Sequence, residues 1–329
     1  MLKVEFNRTG KAYQKLYLKE TNINERLKPK EVLIKVLFFP INPADLLLVE
    51  GKYASLPSKL PSPIGAECVA KVIKIGNKVK LFKINDIVIP LTRNNWVEKI
   101  KIEEINLIKI DRNIDLHQAC MLKVNPASAY LMLNNYVKLK KNDTILQNAA
   151  NSGVGNYIIQ LAKLYNIKTV NLVRRKNVIP YLKRIGAKKV YVNNKSSPIK
   201  LKEKVKLIID AVGGASIDNL ALNLMDHGTI INYGLLSGKK IQIDPSRLIF
   251  NNISVKGFWL TLWLQNMSYN EKINLYSHLS ALIKKKILYT MIERIYHIKD
   301  IKKAAAKADA YKRRGKVLVT FDKDLLNKF

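Results

Sequence analysis

At one place in this chain a short apolar run, residues 144–149, meets a small-residue turn, Ala150-Asn-Ser-Gly-Val-Gly155, and then a stretch with apolar residues at helical spacing to Tyr165. The same rhythm recurs downstream. Strand-like runs lie at 168–173, 188–192, 205–212, 228–233 and 253–258, and a helix pattern over 178–185 is closed by Gly186. Strands separated by helix-length segments need right-handed crossovers, which produce a parallel sheet with helices on both faces. The fold class expected is therefore α/β, with a doubly wound parallel sheet over residues 125–260.

Residues 1–110 read differently. Apolar alternation at 31–39, 68–76 and 86–90, and at the N-terminal Met1-Leu-Lys-Val-Glu-Phe6, predicts strands, and Pro40, Pro43, Pro57, Pro61 and Pro63 punctuate the segments between them. After Trp259 come helix patterns at 271–285 and 300–313 and strand patterns at 292–298 and 316–321. That tail is too short for a core of its own and is expected to return to the first domain. The expected organisation is a β-rich domain of 1–124 with 261–329, and a nucleotide-type domain of 125–260. A length of 329 residues suits two domains, and 48% apolar against 25% charged residues is ordinary globular material.

The chain carries 58 Lys and Arg against 25 Asp and Glu, a net charge of +33. Lys, Asn and Ile are heavily used throughout, the pattern of a coding bias toward A and T, whereas nucleic-acid binders gather their cations on one face or tail. No specific nucleic-acid partner is expected. The field would still favour anionic cofactors and acidic carrier proteins. With Cys68 and Cys120 alone, neither a disulfide framework nor a Cys-only zinc site can form. The N-terminus lacks the apolar run of a signal peptide and no segment has the length of a membrane span, so a reducing, cytoplasmic setting is the simplest reading.

A dinucleotide fold needs a tight turn after its first strand, so that backbone N–H groups and a helix N-terminus face the pyrophosphate. Residues 150–155 occupy that place as a degenerate fingerprint: Ala150 and Ser152 stand where glycine is usual, and Gly155 keeps the close helix–strand contact. The alternative is a plain strand-to-helix turn. The second strand then ends in Arg174-Arg175-Lys176, with no carboxylate for a ribose 2′-hydroxyl. A 2′-phosphate accepts charge-assisted hydrogen bonds from arginine, so NADPH is expected over NADH, against the alternative of a solvated basic strand end.

Ile41-Asn-Pro-Ala-Asp45, Glu50-Gly-Lys-Tyr53, Pro63-Ile-Gly-Ala-Glu67, Val124-Asn-Pro-Ala-Ser-Ala-Tyr130, the segment 147–155 and Lys256-Gly-Phe-Trp-Leu260 carry a resemblance along essentially the whole chain. The sequence resembles the zinc-independent medium-chain dehydrogenase/reductase superfamily, and within it the mitochondrial type of trans-2-enoyl-CoA/enoyl-ACP reductase. The resemblance implies a GroES-like catalytic domain beside a Rossmann-type one, and a homodimer through the strand near 254–258. Zinc-dependent relatives use Cys and His ligands. This chain has Pro-Ala-Asp and Gly65-Ala66-Glu67 at those places, and His117, His227, His278 and His297 are scattered, so no metal is expected.

By the same resemblance Tyr53 is the family's catalytic tyrosine, a proton donor; as a loop tyrosine alone it would be a packing or surface residue. Cofactor contacts are implied at Asn125, at Asn151, Ser152, Gly153 and Val154, at Tyr233, Gly234, Leu235 and Leu236, at Phe258, Trp259 and Leu260, and at Lys316, which would pair with a phosphate. Trp259 is open between shaping an acyl pocket and packing. Two stretches depart from the family: Thr92-Arg-Asn-Asn-Trp96 is abbreviated, and Gly234-Leu-Leu236 replaces Gly-Gly-Met. The implied function is NADPH-dependent reduction of the 2,3 double bond of enoyl thioesters, carried on CoA or acyl carrier protein, in fatty acid synthesis. The alternatives are a quinone or alkenal reductase of the same superfamily and a non-catalytic NADPH- and nucleic-acid-binding protein.

Overall fold

A computed structural model describes residues 1–54, 56–193 and 199–326 and divides the chain into two units, Met1–Val124 with Met267–Phe329, and Asn125–Asn266.

The second unit holds the parallel sheet. Its strands run in the order Lys189–Val192, Lys168–Val173, Thr144–Gln147, Val205–Asp210, Leu224–Asn232, Ser254–Gly257, every pairing parallel. Numbered by chain position that is 3-2-1-4-5-6, with the direction of winding reversing between Thr144–Gln147 and Val205–Asp210. A crevice opens at such a reversal, outside the carboxyl ends of the strands. Helix Gly153–Leu164 packs against helix Asn125–Asn134, which the sequence pattern does not reveal. Eight of the ten residues of Asn125–Asn134 are buried, so it has no polar face to set a period. Leu260–Asn266 is a further helix in this unit, six residues past the expected boundary, tied in by Trp263, whose indole N–H donates to the Tyr136 hydroxyl at 3.4 Å.

In the first unit a sheet of seven strands is ordered Ile292–His297, Lys316–Thr320, Glu31–Pro40, Val69–Ile75, Ile87–Pro90, Leu107–Ile110, with Lys99–Glu103 also paired to Glu31–Pro40. The last strand, Lys316–Thr320, meets Glu31–Pro40 antiparallel, Leu318 opposite Pro40 and Val319 opposite Phe39. Leu2–Phe6, Leu16–Glu20 and Ser62–Pro63 form a small second sheet. Val4, Phe6, Ile34, Val36, Phe39, Trp96, Val317 and Val319 are buried together, and the indole of Trp96 stacks on Phe39 with ring centroids 5.0 Å apart. The helix expected over 300–313 is shorter, Ile301–Asp309: Ala310 turns extended, and the Arg313 guanidinium donates to the Ala308 carbonyl at 2.6 Å. Among the described residues no helix is long and apolar enough to cross a membrane.

Candidate active site

In the nucleotide-type unit, strand Thr144–Gln147 runs straight into the turn. Buried Gln147 donates to the Gly155 carbonyl at 3.1 Å and to Asn171 Oδ1 at 2.8 Å, so the strand fixes both the following helix and the next strand. Ala149 takes a left-handed φ of +46°, which glycine would adopt without strain. Ser152 caps helix Gly153–Leu164, its Oγ accepting from Gly155 N–H at 3.0 Å. Ala150 N–H donates to the Leu172 carbonyl at 3.2 Å, which binds the turn to the end of the second strand, where Arg174 is exposed and Arg175 half-buried.

Several of the expected cofactor positions meet here. A Cβ added to Gly153 would stand 3.3 Å from the carboxamide carbon of Asn125, so that side chain borders the start of the helix. The Tyr233 hydroxyl is enclosed with the Ser152 side chain as its polar neighbour, and burial pushes it up to about 12. Past Tyr233, a Cβ on Gly234 would strike the Ala211 carbonyl oxygen at 2.5 Å, and Leu235 and Leu236 are exposed. Asn151 and Val154 flank the cap within the same turn.

The floor of this edge is a polar cluster that sequence reading missed. Buried Asp210, at the end of the fourth strand, accepts from the Asn148 and Asn232 side chains and from Gly213 N–H at 2.9 Å. Asn148 Oδ1 in turn accepts from Ala211 N–H at 2.8 Å. One carboxylate thus locks the carboxyl ends of the strands ending in Gln147, Asp210 and Asn232. Its only sequence trace is an aspartate inside the apolar run 205–212.

Phe258 N–H donates to the Asn232 carbonyl at 2.9 Å, so the fifth and sixth strands also end in register. Phe258 is buried beside Tyr136 and Trp263, and the Tyr136 hydroxyl donates to the Gly257 carbonyl at 3.0 Å. The cluster fixes the backbone entering Leu260 and leaves Trp259 39% exposed.

In the first unit Tyr53 follows helix Pro43–Val49. Asn42 N–H donates to Asp45 Oδ2 at 2.9 Å to start that helix, and Gly51, at a left-handed φ of +74°, ends it and turns the chain toward Tyr53. The Tyr53 ring packs against the core with the Arg93 guanidinium over its face, 5.2 Å from the centroid. Beneath lies a buried charge cluster. Glu67 accepts from the Asn42 amide and from Val124 N–H, both at 2.8 Å, and Lys123 donates to the Ala66 and Thr92 carbonyls at 2.7 and 2.6 Å. Burial pushes Glu67 up against the pull of the Lys316 and Lys123 charges, and pushes both ammonium groups down.

Lys316 belongs to that cluster. It is 4% exposed and donates to Asn42 Oδ1 and the Ile41 carbonyl. Its ammonium is thus held by protein oxygens within the first unit.

Residues 28–110 match the alcohol dehydrogenase GroES-like domain family and residues 153–277 the zinc-binding dehydrogenase family. The zinc of the second description has no fitting donor set here. Asn42-Pro-Ala-Asp45 and Gly65-Ala-Glu67 carry no thiolate or imidazole, and among the described residues no three His, Cys, Asp or Glu side chains gather as metal ligands. A mitochondrial enoyl-[acyl-carrier-protein] reductase of Dictyostelium discoideum is 36% identical over 298 residues, 87% of this chain and 85% of that protein. One from Caenorhabditis elegans is 37% identical over 78% of this chain and 76% of its own length. Among solved structures, the complex of Etr1p with NADP and crotonyl-CoA superposes with a TM-score of 0.87 at 28% identity, covering 97% of this chain and 99% of that one. A Bacillus thuringiensis protein described as an NADPH:quinone reductase gives a TM-score of 0.89 at 27% identity over 98% and 99%.

These relatives overturn the cytoplasmic expectation: those named with a compartment are mitochondrial. Two buried, free thiols suit any compartment that does not oxidise them, so cysteine usage could not decide the matter.

Proposed function

Because the chain belongs to the medium-chain dehydrogenase/reductase superfamily and, within it, to the enoyl thioester reductase family, we propose that it reduces the 2,3 double bond of trans-2-enoyl thioesters with NADPH, in fatty acid synthesis. The observation that carries this reading is a nucleotide turn closed to side chains at Gly155, in a chain whose other unit offers a phenol, Tyr53. Bound NADPH would supply the hydride for the β-carbon of the thioester.

The chain's own residues do the rest. The capped start of helix Gly153–Leu164 directs backbone N–H groups and the positive end of its dipole at the pyrophosphate, and Ser152 holds that geometry. Arg174 and Arg175, with Lys176 beside them, take the 2′-phosphate. Asn125 and Tyr233 border the same turn and orient the nicotinamide half. Tyr53 gives a proton to the α-carbon; a phenol, with a reference pKa of about 10, is protonated at neutral pH and able to do so. Exposed Leu235, Leu236 and Trp259 form the apolar ground on which the acyl chain and the nicotinamide rest.

A homodimer is suggested by the edge of the parallel sheet. Among the described residues strand Ser254–Gly257 pairs on one side only, and the helix before it, Pro245–Phe250, presents Ile249 and an 80% exposed Phe250. An unpaired edge beside exposed apolar side chains suits a second copy of the chain.

Likeness to the quinone reductase favours a second reading, the same hydride chemistry on a quinone or alkenal. Oxidation of NADPH and of NADH by crotonyl-CoA, measured beside a simple quinone, separates the two. Turnover of crotonyl-CoA with NADPH is expected; turnover of the quinone alone overturns the proposal.

A further inference from the structure

Arg93 lies in the stretch where this chain departs from the family pattern, and its surroundings are unusually firm. Asn94 and Asn95 N–H groups both donate to the Gly65 carbonyl, at 2.7 and 3.2 Å, and Trp96 N–H donates to the Ile64 carbonyl at 3.0 Å. The Thr92 carbonyl accepts from Lys123 at 2.6 Å and from the Asn95 side chain at 2.9 Å. Asn94 holds a left-handed φ of +68°, which turns the backbone sharply at this point. A loop anchored on both sides of residue 93 presents the guanidinium with little freedom.

That guanidinium stands over the Tyr53 ring at 5.2 Å, inside the range of a cation–π contact. Asp45 and Lys123 are within its electrostatic reach, yet among the described residues its enclosed Nη2 has no hydrogen-bond acceptor. An enclosed, unsatisfied N–H of a charged group costs stability. Such a cost is retained where the charge has work at the site.

We propose that Arg93 is a positioning residue for Tyr53, holding the phenol ring and stabilising the negative charge that proton donation leaves on it. This rests on the reading of Tyr53 as the proton donor. In the reaction a hydride passes from NADPH, which is oxidised, to the β-carbon, and the acceptor π electrons shift to form an enolate on the thioester oxygen. The Tyr53 O–H bond then breaks, the enolate electrons form the new α-carbon C–H bond, and the O–H electron pair stays on the phenolate until a solvent proton restores it. A cation on the ring face attracts the ring more strongly once that charge is present.

The test compares wild type, Arg93→Gln, Arg93→Lys, Tyr53→Phe and the Arg93→Gln/Tyr53→Phe pair with NADPH and crotonyl-CoA, in light and in heavy water. Arg93→Gln should lower kcat about tenfold, leave the NADPH dissociation constant unchanged and enlarge the solvent isotope effect on kcat, because proton transfer has become slower. Arg93→Lys, with the charge but not the planar group, should fall between. In the Tyr53→Phe background the Gln substitution should cost nothing more. Should Arg93→Gln not fold, the lysine variant carries the same isotope comparison. A full additive loss in the double variant, or an unchanged isotope effect, overturns the proposal while leaving the reductase reading intact. A wild type that leaves crotonyl-CoA untouched overturns both.

Discussion

Gly155 lies so close to Ala150 that a Cβ on it would meet the Ala150 carbonyl oxygen at 2.6 Å and its Cα at 2.8 Å. The obstruction is backbone, which cannot swing aside as a side-chain end would. Gly155→Ala must move either the helix or the strand end, and overpacking of this kind costs about 1–3 kcal/mol. The movement falls on the turn itself, so NADPH affinity should drop about tenfold or more for a loss of that size. Fluorescence titration of NADPH checks this, and an unchanged dissociation constant would remove residues 150–155 from the cofactor site.

Tyr53→Phe keeps the ring under Arg93 and removes only the hydroxyl. Loss of a general acid costs roughly 10²–10⁴ in kcat. Binding of NADPH and thermal stability should both be retained, since the ring's packing is unaltered. Near-normal turnover of crotonyl-CoA by this variant would take Tyr53 out of the chemistry.

What could be read from the sequence divides along a physical line. The parallel sheet was legible because its apolar strands and helix-length crossovers are local patterns, and the strands at 168–173 and 205–212 were found nearly in place. Helix Asn125–Asn134 was not, since a helix buried on all sides shows no periodic stripe. The nucleotide turn could be placed because a phosphate-binding turn is contiguous in the chain. Asp210 with Asn148 and Asn232, Glu67 with Asn42 and Val124, and Arg93 over Tyr53 join residues 22 to 62 positions apart, and nothing local marks them. Lys316 shows the converse hazard: in a chain rich in lysine, its buried ammonium could not be told from a surface one until its oxygen partners were seen.

The second strand ends at Val173, next to the turn that Ala150 ties to Leu172. Arg174 and Arg175 stand there without a neighbouring carboxylate in the sequence. Replacing both with serine should lower the ratio of kcat/KM for NADPH to that for NADH about 10–100-fold, since hydrogen bonds to a charged group contribute about 1.5–3 kcal/mol each before solvent screening reduces them. The change should lie in KM for NADPH, with kcat at saturation preserved. A ratio that does not move would make these arginines a solvated strand end.

Asp86 supplies a pH-dependent test of the first unit. Its carboxylate is fully enclosed and accepts from Lys83 N–H, from Lys109 and from Arg112, each at 2.9 Å. Burial alone would raise its pKa, but the hydrogen bonds and charges of Lys109 and Arg112 outweigh that and hold it below the ordinary carboxylate range. The folded value thus lies below the unfolded one of about 3.9. The folded state then binds fewer protons, so the stabilisation is fully present above the unfolded value and is lost as pH falls through the folded one. Asp86→Asn keeps the size and one acceptor while removing the charge, at a cost of about 1–3 kcal/mol near neutral pH. Urea midpoints of wild type and variant should differ by a constant amount from about pH 8 to about pH 5 and converge below about pH 4. A gap equally wide in acid would mean that the side chain acts through its shape alone.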